Sequence, residues 1–380
     1  MDDQPMMRIA VDALGIDKPG GARTATLYLF EEVIKLKPGW NFIFYLSRYE
    51  VSLDKNNVKQ VILPFRKGIL ARLLFQVYLP FDLLFRKVNL VHFAKSQACY
   101  LPCRKKVFTI FDLTTLLYPE QFSKSAVWYW SHIQGRMARA ADAVVAISKD
   151  DARDIISYYK VPVGKVSTIY LDSQFNDQVK PDLVKVQKIK QELELPPCYL
   201  LFVGLLAKKK NLETLIRAIS LLKEQRTSLP PLILVGPRYT ASDASDLLDL
   251  VHSLGLDQSV RYLGELAPGE LQVVMQNAFC LLLPSVHEGF GITAIEAIKL
   301  GIPVIASKVS ALPEIVGTAG LLVDEYLDPA SWAAMICRLL DDESLRDNLV
   351  REGYQQAARF SWHTSARKLV ELYPHVYRSR

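Results

Sequence analysis

The feature that most constrains the fold is a repeated alternation of short apolar runs with stretches of helical periodicity. In the first half of the chain, strands are predicted at residues 8–12, 41–46, 58–63, 90–93, 107–111 and 143–147. A loop with Gly15, Gly20 and Gly21 follows the first strand and precedes a helix predicted over residues 25–36. Because the short strands are continuously apolar and alternate with helices, the pattern predicts a parallel sheet covered on both faces.

The alternation stops in a polar, lysine-rich segment and then begins again. Residues 172–197 end in Pro196-Pro197 and are interpreted as a hinge with an interdomain helix. A second series of strands is predicted at residues 199–203, 232–235, 260–263, 279–283 and 303–306. The two series predict an α/β protein with two doubly wound, Rossmann-like domains facing a central cleft.

Composition and charge exclude several classes of protein. Of 380 residues, 50% are hydrophobic and 23% are charged, which excludes a disordered chain. The net charge of +6 suits phosphorylated ligands or an anionic membrane surface, and it is too small to indicate nucleic acid. The cysteines have no zinc-like spacing, so reduced, mostly buried thiols are expected at Cys99, Cys103, Cys198, Cys280 and Cys337.

The predicted location is the cytoplasm, either in solution or peripheral on the inner face of the membrane. The start at Met1 is acidic and leads directly into a strand-like run, so no leader peptide is evident. No apolar run reaches the roughly 18 residues that span a bilayer.

Two common phosphate-binding fingerprints are missing from the sequence. No G-x-G-x-x-G follows the first strand, which argues against a dinucleotide dehydrogenase. No G-x-x-x-x-G-K-[ST] occurs either, which argues against a P-loop NTPase. Any phosphates must therefore be bound in another way.

The most informative stretch runs from Ser285 to Glu296. A predicted strand ends at residue 283, a glycine turn follows, and a helix is predicted to begin near Gly291. Amides at the start of this helix, together with its dipole, favour an anion such as diphosphate. Glu288 before the helix and Glu296 within it are suited to accept hydrogen bonds from sugar hydroxyls, one on each side of a diphosphate. The alternative is a capped helix with two solvated glutamates.

The chain resembles the GT-B glycosyltransferases of family 4, whose E-x7-E signature corresponds here to Glu288-Gly-Phe-Gly…Glu296-Ala. A second signature of the family corresponds to the run from Val203-Gly204 to Lys209-Lys210-Asn211. Weaker similarities, in family order, are Gly20-Gly21, Val91-His92, Ile147-Ser148, residues 301–307 and Leu312-Pro313-Glu314. Together they cover nearly the whole chain.

The resemblance implies roles for individual residues. Lys209 and Lys210 would bind the donor diphosphate, Glu288 the transferred sugar and Glu296 the ribose, while the base would lie near Gly236. The donor-binding set is Gly21, Lys209, Lys210, Tyr262, Leu263, Glu288, Gly289, Phe290, Gly291, Ile292 and Glu296. The catalytic set is Glu288, Lys210 and Asp112. The alternative for Lys208, Lys209 and Lys210 is a solvated charge run.

The first half departs from the family at two positions. Many members have His-Asp where this chain has Phe111-Asp112, so a side chain that bonds the donor sugar is missing there. Asp112 would accept a hydrogen bond from an acceptor hydroxyl or would form a turn. Arg23 stands where relatives often have glycine, which predicts a more basic acceptor loop. His92 is either functional or a packed residue with satisfied nitrogens.

The resemblance also implies the division of the chain. Residues 1–175 would form the acceptor-binding domain, residues 198–358 the donor-binding domain, and residues 359–380 a helix that crosses back to the first domain, with Trp362 at the crossing. Residues 63–87 mix basic and apolar side chains at helical spacing. They are interpreted as a surface helix pair on an anionic membrane or as a core-facing helix pair interrupted at Pro80.

The function predicted from these features is a retaining hexosyltransferase in polysaccharide or glycoconjugate synthesis. It would use a nucleoside diphosphate sugar, with UDP-glucose or a related UDP-hexose preferred over GDP-mannose, and a saccharide or lipid-linked acceptor. GT-B enzymes need no bound metal for this reaction, so no cofactor is expected. The alternatives are a non-catalytic hinged sugar-binding protein and a GT-B phosphorylase or epimerase.

Overall fold

The computed structural model describes residues 6–16, 20–63, 69–95, 104–175, 182–238 and 241–379. Of residues 69–74, 76, 121 and 241–245 it describes the backbone alone. Cys99 and Cys103 lie outside the described residues, whereas Cys198, Cys280 and Cys337 are free thiols. The chain divides into two compact units, one formed by Met1–Asp172 with Phe360–Arg380 and the other by Ser173–Arg359.

The strands are β1 (Arg8–Asp12), β2 (Asn41–Leu46), β3 (Val58–Ile62), β4 (Leu90–Phe93), β5 (Lys105–Ile110), β6 (Ala143–Ala146), β7 (Val166–Thr168), β8 (Leu200–Val203), β9 (Leu232–Val235), β10 (Val260–Gly264), β11 (Cys280–Leu283), β12 (Val304–Ser307) and β13 (Gly320–Val323). The helices are α1 (Gly21–Leu36), α2 (Ile69–Phe85), α3 (Thr114–Leu117), α4 (Lys124–Tyr129), α5 (Gly135–Ala140), α6 (Lys149–Tyr159), α7 (Leu183–Glu192), α8 (Leu212–Gln225), α9 (Ala241–Ser253), α10 (Pro268–Gln276), α11 (Ile292–Lys299), α12 (Leu312–Val316), α13 (Pro329–Asp341), α14 (Glu343–Ala357) and α15 (Trp362–Arg378).

The first unit contains a parallel sheet of seven strands in the order β3-β2-β1-β4-β5-β6-β7. Its central strands are buried on both faces, as the continuous apolar runs predict. The last helix, α15, packs on α1 within this unit. Trp362 at its start stacks on Tyr28, with the ring centres 5.9 Å apart.

The second unit contains a parallel sheet of six strands in the order β10-β9-β8-β11-β12-β13. Its core includes the fully buried Trp332 together with apolar residues of β8, β9 and α8. Both units are therefore doubly wound α/β structures, and the predicted fold class of two Rossmann-like domains is confirmed.

The prediction of a helix pair around Pro80 is wrong, because α2 is a single helix that continues through this proline. An internal proline removes a helical hydrogen bond and costs about 3 kcal/mol. Phe75, Leu79 and Leu83, spaced four residues apart on one face, are buried in the core of the first unit. That burial offsets the cost, and local sequence patterns do not report it.

Two strands were missed and some bounds differ. β7 is short and only half-buried, and β13 is a run of four residues that begins with Gly320. Strand β5 begins two residues earlier than predicted, because Lys105 and Lys106 pair with Leu90 and Val91 of β4. Helix α1 begins at Gly21 rather than at residue 25.

Candidate active site

The candidate site lies at the carboxyl edge of the second sheet. From β8 the chain winds to β9 and β10 on one side, and from β11 it winds to β12 and β13 on the other. In doubly wound sheets ligands bind where this order reverses, beyond the carboxyl ends of the two central strands. The loops that follow β8 and β11 carry most of the predicted donor-binding residues.

The loop after β8 presents the lysine run as one compact turn. Lys208, Lys209 and Lys210 form a single turn of 3-10 helix, and Asn211 adopts a left-handed conformation before α8 begins. Lys208 is exposed, whereas Lys209 and Lys210 are partly buried. The backbone carbonyl of Lys209 accepts a hydrogen bond of 2.9 Å from the Val286 amide, which joins this turn to the loop after β11.

Glu288 pairs with Lys210 across the two loops. Its Oε1 accepts hydrogen bonds from Lys210 Nζ and, at 2.6 Å, from the hydroxyl of Ser285. Its backbone amide donates to the Ser310 hydroxyl at 2.8 Å. The side chains of Lys210 and Glu288 are 15% and 14% exposed, so the pair is accessible but largely removed from water.

The protonation state of Glu288 follows from these contacts. Burial alone would raise the pKa of this carboxyl, but the charges of Lys210 and Lys209 and the hydrogen bonds from Lys210 and Ser285 hold it below its ordinary value. Glu288 is therefore ionised at neutral pH and fixes the position of the Lys210 ammonium.

Helix α11 begins where the sequence predicts. Gly291 precedes it with φ 90°, a left-handed conformation that favours glycine, and a Cβ there would lie 2.9 Å from the side-chain atom Leu312 Cδ2. The amides of Ile292 and Thr293 belong to the first turn, where the helix itself provides no acceptor. This amino terminus follows the loop after β11 and is suited to an anion.

Glu296 lies inside α11 and is only 3% exposed. Its Oε1 accepts a hydrogen bond of 2.9 Å from the side-chain amide of Gln174. Burial raises the pKa of Glu296 to about 7, although the hydrogen bonds from Gln174 oppose this shift. The two glutamates of the motif thus differ, because one is paired with an ammonium and the other with a neutral amide.

The tips of β9 and β10 are held in close contact. Gly236 has φ 137°, and a Cβ there would lie 2.0 Å from the Gly204 carbonyl oxygen, so only glycine fits. The Tyr262 hydroxyl donates to the Gly236 carbonyl at 2.8 Å, and the Arg238 guanidinium lies 5.3 Å from the Tyr262 ring centre. Leu263 is half-buried in β10. Tyr262 therefore holds the glycine turn in which the base is predicted to lie.

Gly21 and Asp112 belong to the first unit, whereas the other predicted site residues belong to the second. Gly21 is the first residue of α1 and follows Gly20, which has φ 136°. Asp112 Oδ1 accepts a hydrogen bond of 3.0 Å from the Thr114 amide, so this oxygen forms the turn before α3. The acceptor role of Asp112 stays a prediction.

Two other residues of the first unit have structural partners. Both ring nitrogens of the buried His92 are hydrogen-bonded, Nδ1 to the Tyr373 hydroxyl at 2.6 Å and Nε2 to the Thr109 hydroxyl at 2.7 Å. The interpretation of His92 as a packed residue is therefore confirmed. Arg23 pairs with Glu50 at 2.6 Å, which offsets the basic character expected for its loop.

Sequence reasoning missed Gln174, Arg238 and Ser310. Ser285 was part of the motif but had no role assigned to it. Gln174 and Glu296 are separated by 122 positions, and no local pattern links them. Within the described ranges, no group of three or more His, Cys, Asp or Glu side chains is arranged to hold a metal ion. None of the described helices is both long and apolar enough to cross a membrane.

Two family models match the chain over most of its length. The model for Glycosyl transferases group 1 matches residues 185–356, and that for Glycosyltransferase Family 4 matches residues 19–171. The O-antigen chain mannosyltransferase B of Escherichia coli is 30% identical over 277 residues, 72% of each chain. The chain belongs to the family 4 glycosyltransferases.

Other relatives and solved structures agree with this membership. A D-inositol 3-phosphate glycosyltransferase of Corynebacterium efficiens is 31% identical over 239 residues, 61% of this chain and 56% of that protein. A sucrose-phosphate synthase from Thermosynechococcus elongatus matches with a TM-score of 0.80 at 22% identity, covering 98% of this chain and 99% of that one. The Anabaena protein HepE, solved with UDP and glucose, matches with a TM-score of 0.77 at 20% identity, covering 96% and 99%. The resemblance to GT-B glycosyltransferases is thus confirmed.

Proposed function

We propose that this family 4 glycosyltransferase moves a hexose, with retention of configuration, from a nucleoside diphosphate donor to a saccharide or lipid-linked saccharide acceptor. The product would enter polysaccharide or glycoconjugate synthesis. The observation that carries the proposal is the Lys210–Glu288 pair beside the amino terminus of α11, where the strand order of the second sheet reverses. This arrangement combines a candidate anion site with a carboxylate that can accept hydrogen bonds from sugar hydroxyls.

The diphosphate would bind to Lys209, Lys210 and the first amides of α11. At about 4 Å and an intermediate dielectric, a lysine ammonium and a phosphate attract each other by about 4 kcal/mol before desolvation. Glu288 contributes by holding the Lys210 ammonium at the site. Since these groups are in place in the folded unit, little reorganisation is needed when the ligand binds.

In the proposed reaction, the bond between the anomeric carbon and the donor phosphate oxygen breaks while the acceptor oxygen bonds to the same face of that carbon. The acceptor proton passes to the leaving phosphate, so no carboxylate nucleophile is needed. Lys210 and the α11 amides stabilise the charge that develops on the leaving group. Acceptor binding is assigned to the first unit, with Asp112 as the predicted contact.

The two glutamates should have separable roles. Glu288→Ala should lower the transfer rate by a larger factor than it weakens binding of free nucleoside diphosphate, because that ligand lacks the sugar and is affected only through the position of Lys210. Glu296→Ala should weaken binding of the free nucleotide by about tenfold to a hundredfold, because that ligand still carries the ribose. Calorimetry with the nucleotide and initial rates with the nucleotide sugar test this. Equal losses of nucleotide affinity in both variants would refute the assignment.

Two donor sugars each have one supporting observation. We propose GDP-mannose as the first candidate, because a mannosyltransferase is 30% identical over 72% of this chain. UDP-glucose, the preference from sequence, has the support of a fold relative at 20% identity that was solved with UDP-glucose. A thermal-shift panel of both donors and their nucleotides separates them, since a ligand at 100 times its dissociation constant adds about 2.7 kcal/mol of stability. A shift without turnover would favour a binding protein, and no shift with any nucleotide would reject the donor assignment.

Turnover is proposed to be independent of divalent metal. Lys210 and the first amides of α11 would supply the positive charge that a metal would otherwise bring to the diphosphate. Activity measured after EDTA treatment should match untreated enzyme. Loss of activity that Mg or Mn restores would overturn this part of the proposal.

A peripheral contact with the inner face of the membrane is proposed for one face of α2. Val77, Phe81, Leu84 and Phe85 follow helical spacing and are each more than half exposed. Lys87 is exposed at the end of this face, and the guanidinium of Arg8 donates to the Arg86 carbonyl at 2.6 Å. An apolar stripe with a basic end suits an anionic lipid surface.

Flotation with vesicles of anionic or zwitterionic lipid tests this contact. Wild-type protein should float with the anionic vesicles, and the double variant Phe81→Ser, Phe85→Ser should not. Leu327→Ser, at an exposed apolar residue of the second unit, is the matched control. Failure of the wild-type protein to float, or equal loss in the control, would contradict the proposal.

A further inference from the structure

Gln174 lies at the start of the second unit, directly after the point where the chain leaves the first. The division falls between Asp172 and Ser173, and Asp172 accepts a hydrogen bond of 3.3 Å from the Trp362 amide within the first unit. The Ser173 hydroxyl accepts a hydrogen bond of 2.9 Å from the Phe175 amide. Since Ser173 and Phe175 are also buried, the backbone of Gln174 is fixed on both sides.

The side chain of Gln174 contacts the buried carboxylate of α11. Its Nε2 lies 2.9 Å from Glu296 Oε1. A carboxylate that is 3% exposed needs hydrogen-bond donors, because an unsatisfied buried charge is strongly unfavourable. No ion pair found among the described residues includes Glu296, so its partner is a neutral amide. Glu288, in contrast, is paired with an ammonium.

A neutral partner has a specific consequence. An amide orients the carboxylate without cancelling its charge, so Oε2 keeps its capacity to accept hydrogen bonds from hydroxyl groups. The hydrogen bonds from Gln174 also oppose the effect of burial on the pKa of Glu296 and so favour the ionised, accepting form. Both effects suit a ligand whose recognised groups are neutral hydroxyls.

We propose that Gln174 is a positioning residue for nucleotide recognition, holding Glu296 Oε1 so that Oε2 accepts the ribose hydroxyls of the donor. This inference rests on the proposed function, in which Glu296 binds the ribose. It assigns a role in donor binding to the segment where the chain first enters the second unit.

The test compares ligands with and without ribose hydroxyls. Calorimetry measures binding of UDP, GDP and their 2′,3′-dideoxy analogues to the wild-type protein and to Gln174→Met, which keeps side-chain length but has no amide. Because Gln174→Met loses a hydrogen bond to a charged group, its affinity for the ribonucleotide should fall by about tenfold or more. The dideoxy analogue should bind the variant and the wild type equally, which a general structural defect would not produce.

A second variant and a matched control complete the design. Gln174→Asn keeps the amide but shortens the side chain by one methylene, so it should show the same selective loss. Gln191→Met replaces an exposed glutamine of the same unit and should retain affinity for both ligands. Equal loss for both ligands in the two Gln174 variants, or no loss for either, overturns the assignment. Wild-type protein that binds neither nucleotide overturns the proposed function as well, and the wild-type measurement alone distinguishes that case.

Discussion

The carboxyl edges of the two sheets have the same topology but different chemistry. In both sheets the strand order reverses at the centre, between β1 and β4 in the first unit and between β8 and β11 in the second. In the first unit this region contains Asp12 and His92, both buried among protein partners. In the second it contains the accessible Lys210–Glu288 pair. Topology supplies the place for a ligand, and the side chains decide whether one is bound there.

Electrostatics separate the two regions further. Burial lowers the pKa of His92 to about 3 and raises that of Asp12 to about 7, so both groups tend toward their neutral forms. In the second unit, Lys210 and Lys209 keep Glu288 ionised despite its burial. Asp12 and His92 of the first edge are therefore packed groups that burial shifts toward their neutral forms, whereas Glu288 of the second edge stays ionised beside Lys210.

The largest effect is expected for Lys210→Met. Losing one group that stabilises charge in the transition state typically costs about 10² to 10³ in turnover. Initial rates with the nucleotide sugar measure this. Lys208→Met, in the same turn but exposed, is the matched control and should change the rate little. Similar losses in both variants would show that the run acts only through its general charge.

Glu296→Gln should stabilise the protein in a way that depends on pH. Burial raises the pKa of this carboxyl from 4.5 to about 7, so ionisation disfavours the folded state and the unfolding free energy falls as pH rises between these values. The variant should gain about 3 kcal/mol at pH 8 and nothing below pH 4.5. Chemical denaturation without ligand at pH 4 and pH 8 checks this.

Glu288→Gln provides the contrast at the other glutamate of the motif. It removes the charge that pairs with the partly buried Lys210, so it should destabilise the protein at pH 8 by about 1–3 kcal/mol. Effects of the same sign at both positions would contradict the difference described for the two glutamates.

Tyr373→Phe should separate the roles of the two edges. The substitution leaves His92 Nδ1 without its hydroxyl partner and should cost about 1–2 kcal/mol of stability. Nucleotide affinity should not change, since donor binding is assigned to the second unit. Denaturation and calorimetry measure the two quantities, with Tyr377→Phe on the exposed side of the same helix as control. A loss of nucleotide affinity would give the first edge a ligand-binding role.

The smallest effect is expected for Arg23→Met. The pair of Arg23 and Glu50 is partly exposed, and such pairs contribute about 1 kcal/mol or less. Thermal unfolding should therefore shift only slightly, and Arg153→Met at an exposed helix pair is the control. A large loss of transfer rate with unchanged stability would indicate that Arg23 has a functional role in the acceptor loop.

Much of the second unit could be predicted from sequence because its signals are local. The end of β11, the glycine turn and the start of α11 follow one another within a few residues, and the structure agrees with each of them. The lysine turn after β8 is equally local. In contrast, the rule for internal proline predicts two helices where α2 is one, because it does not include the burial of Leu79 and Leu83.

The side-chain partners of the predicted site residues could not be predicted from sequence. Lys210 and Glu288 were assigned to different parts of the donor, and their mutual pairing joins positions 78 residues apart. The Ser310 hydroxyl accepts a hydrogen bond from the Glu288 backbone amide, and the Gln174 side-chain amide donates one to Glu296. Both partners come from other segments of the chain. Such contacts follow from the order of strands in the sheet, which short motifs do not encode.

The sequence by itself determined the α/β class, the two series of strands and the family, because apolar periodicity and motif spacing act over short distances along the chain. Only the tertiary structure decided which glutamate faces an ammonium and which faces an amide, and with that their opposite pKa shifts. The physical reason is that desolvation and pairing depend on neighbours in space, and these are set when the strands assemble into a sheet.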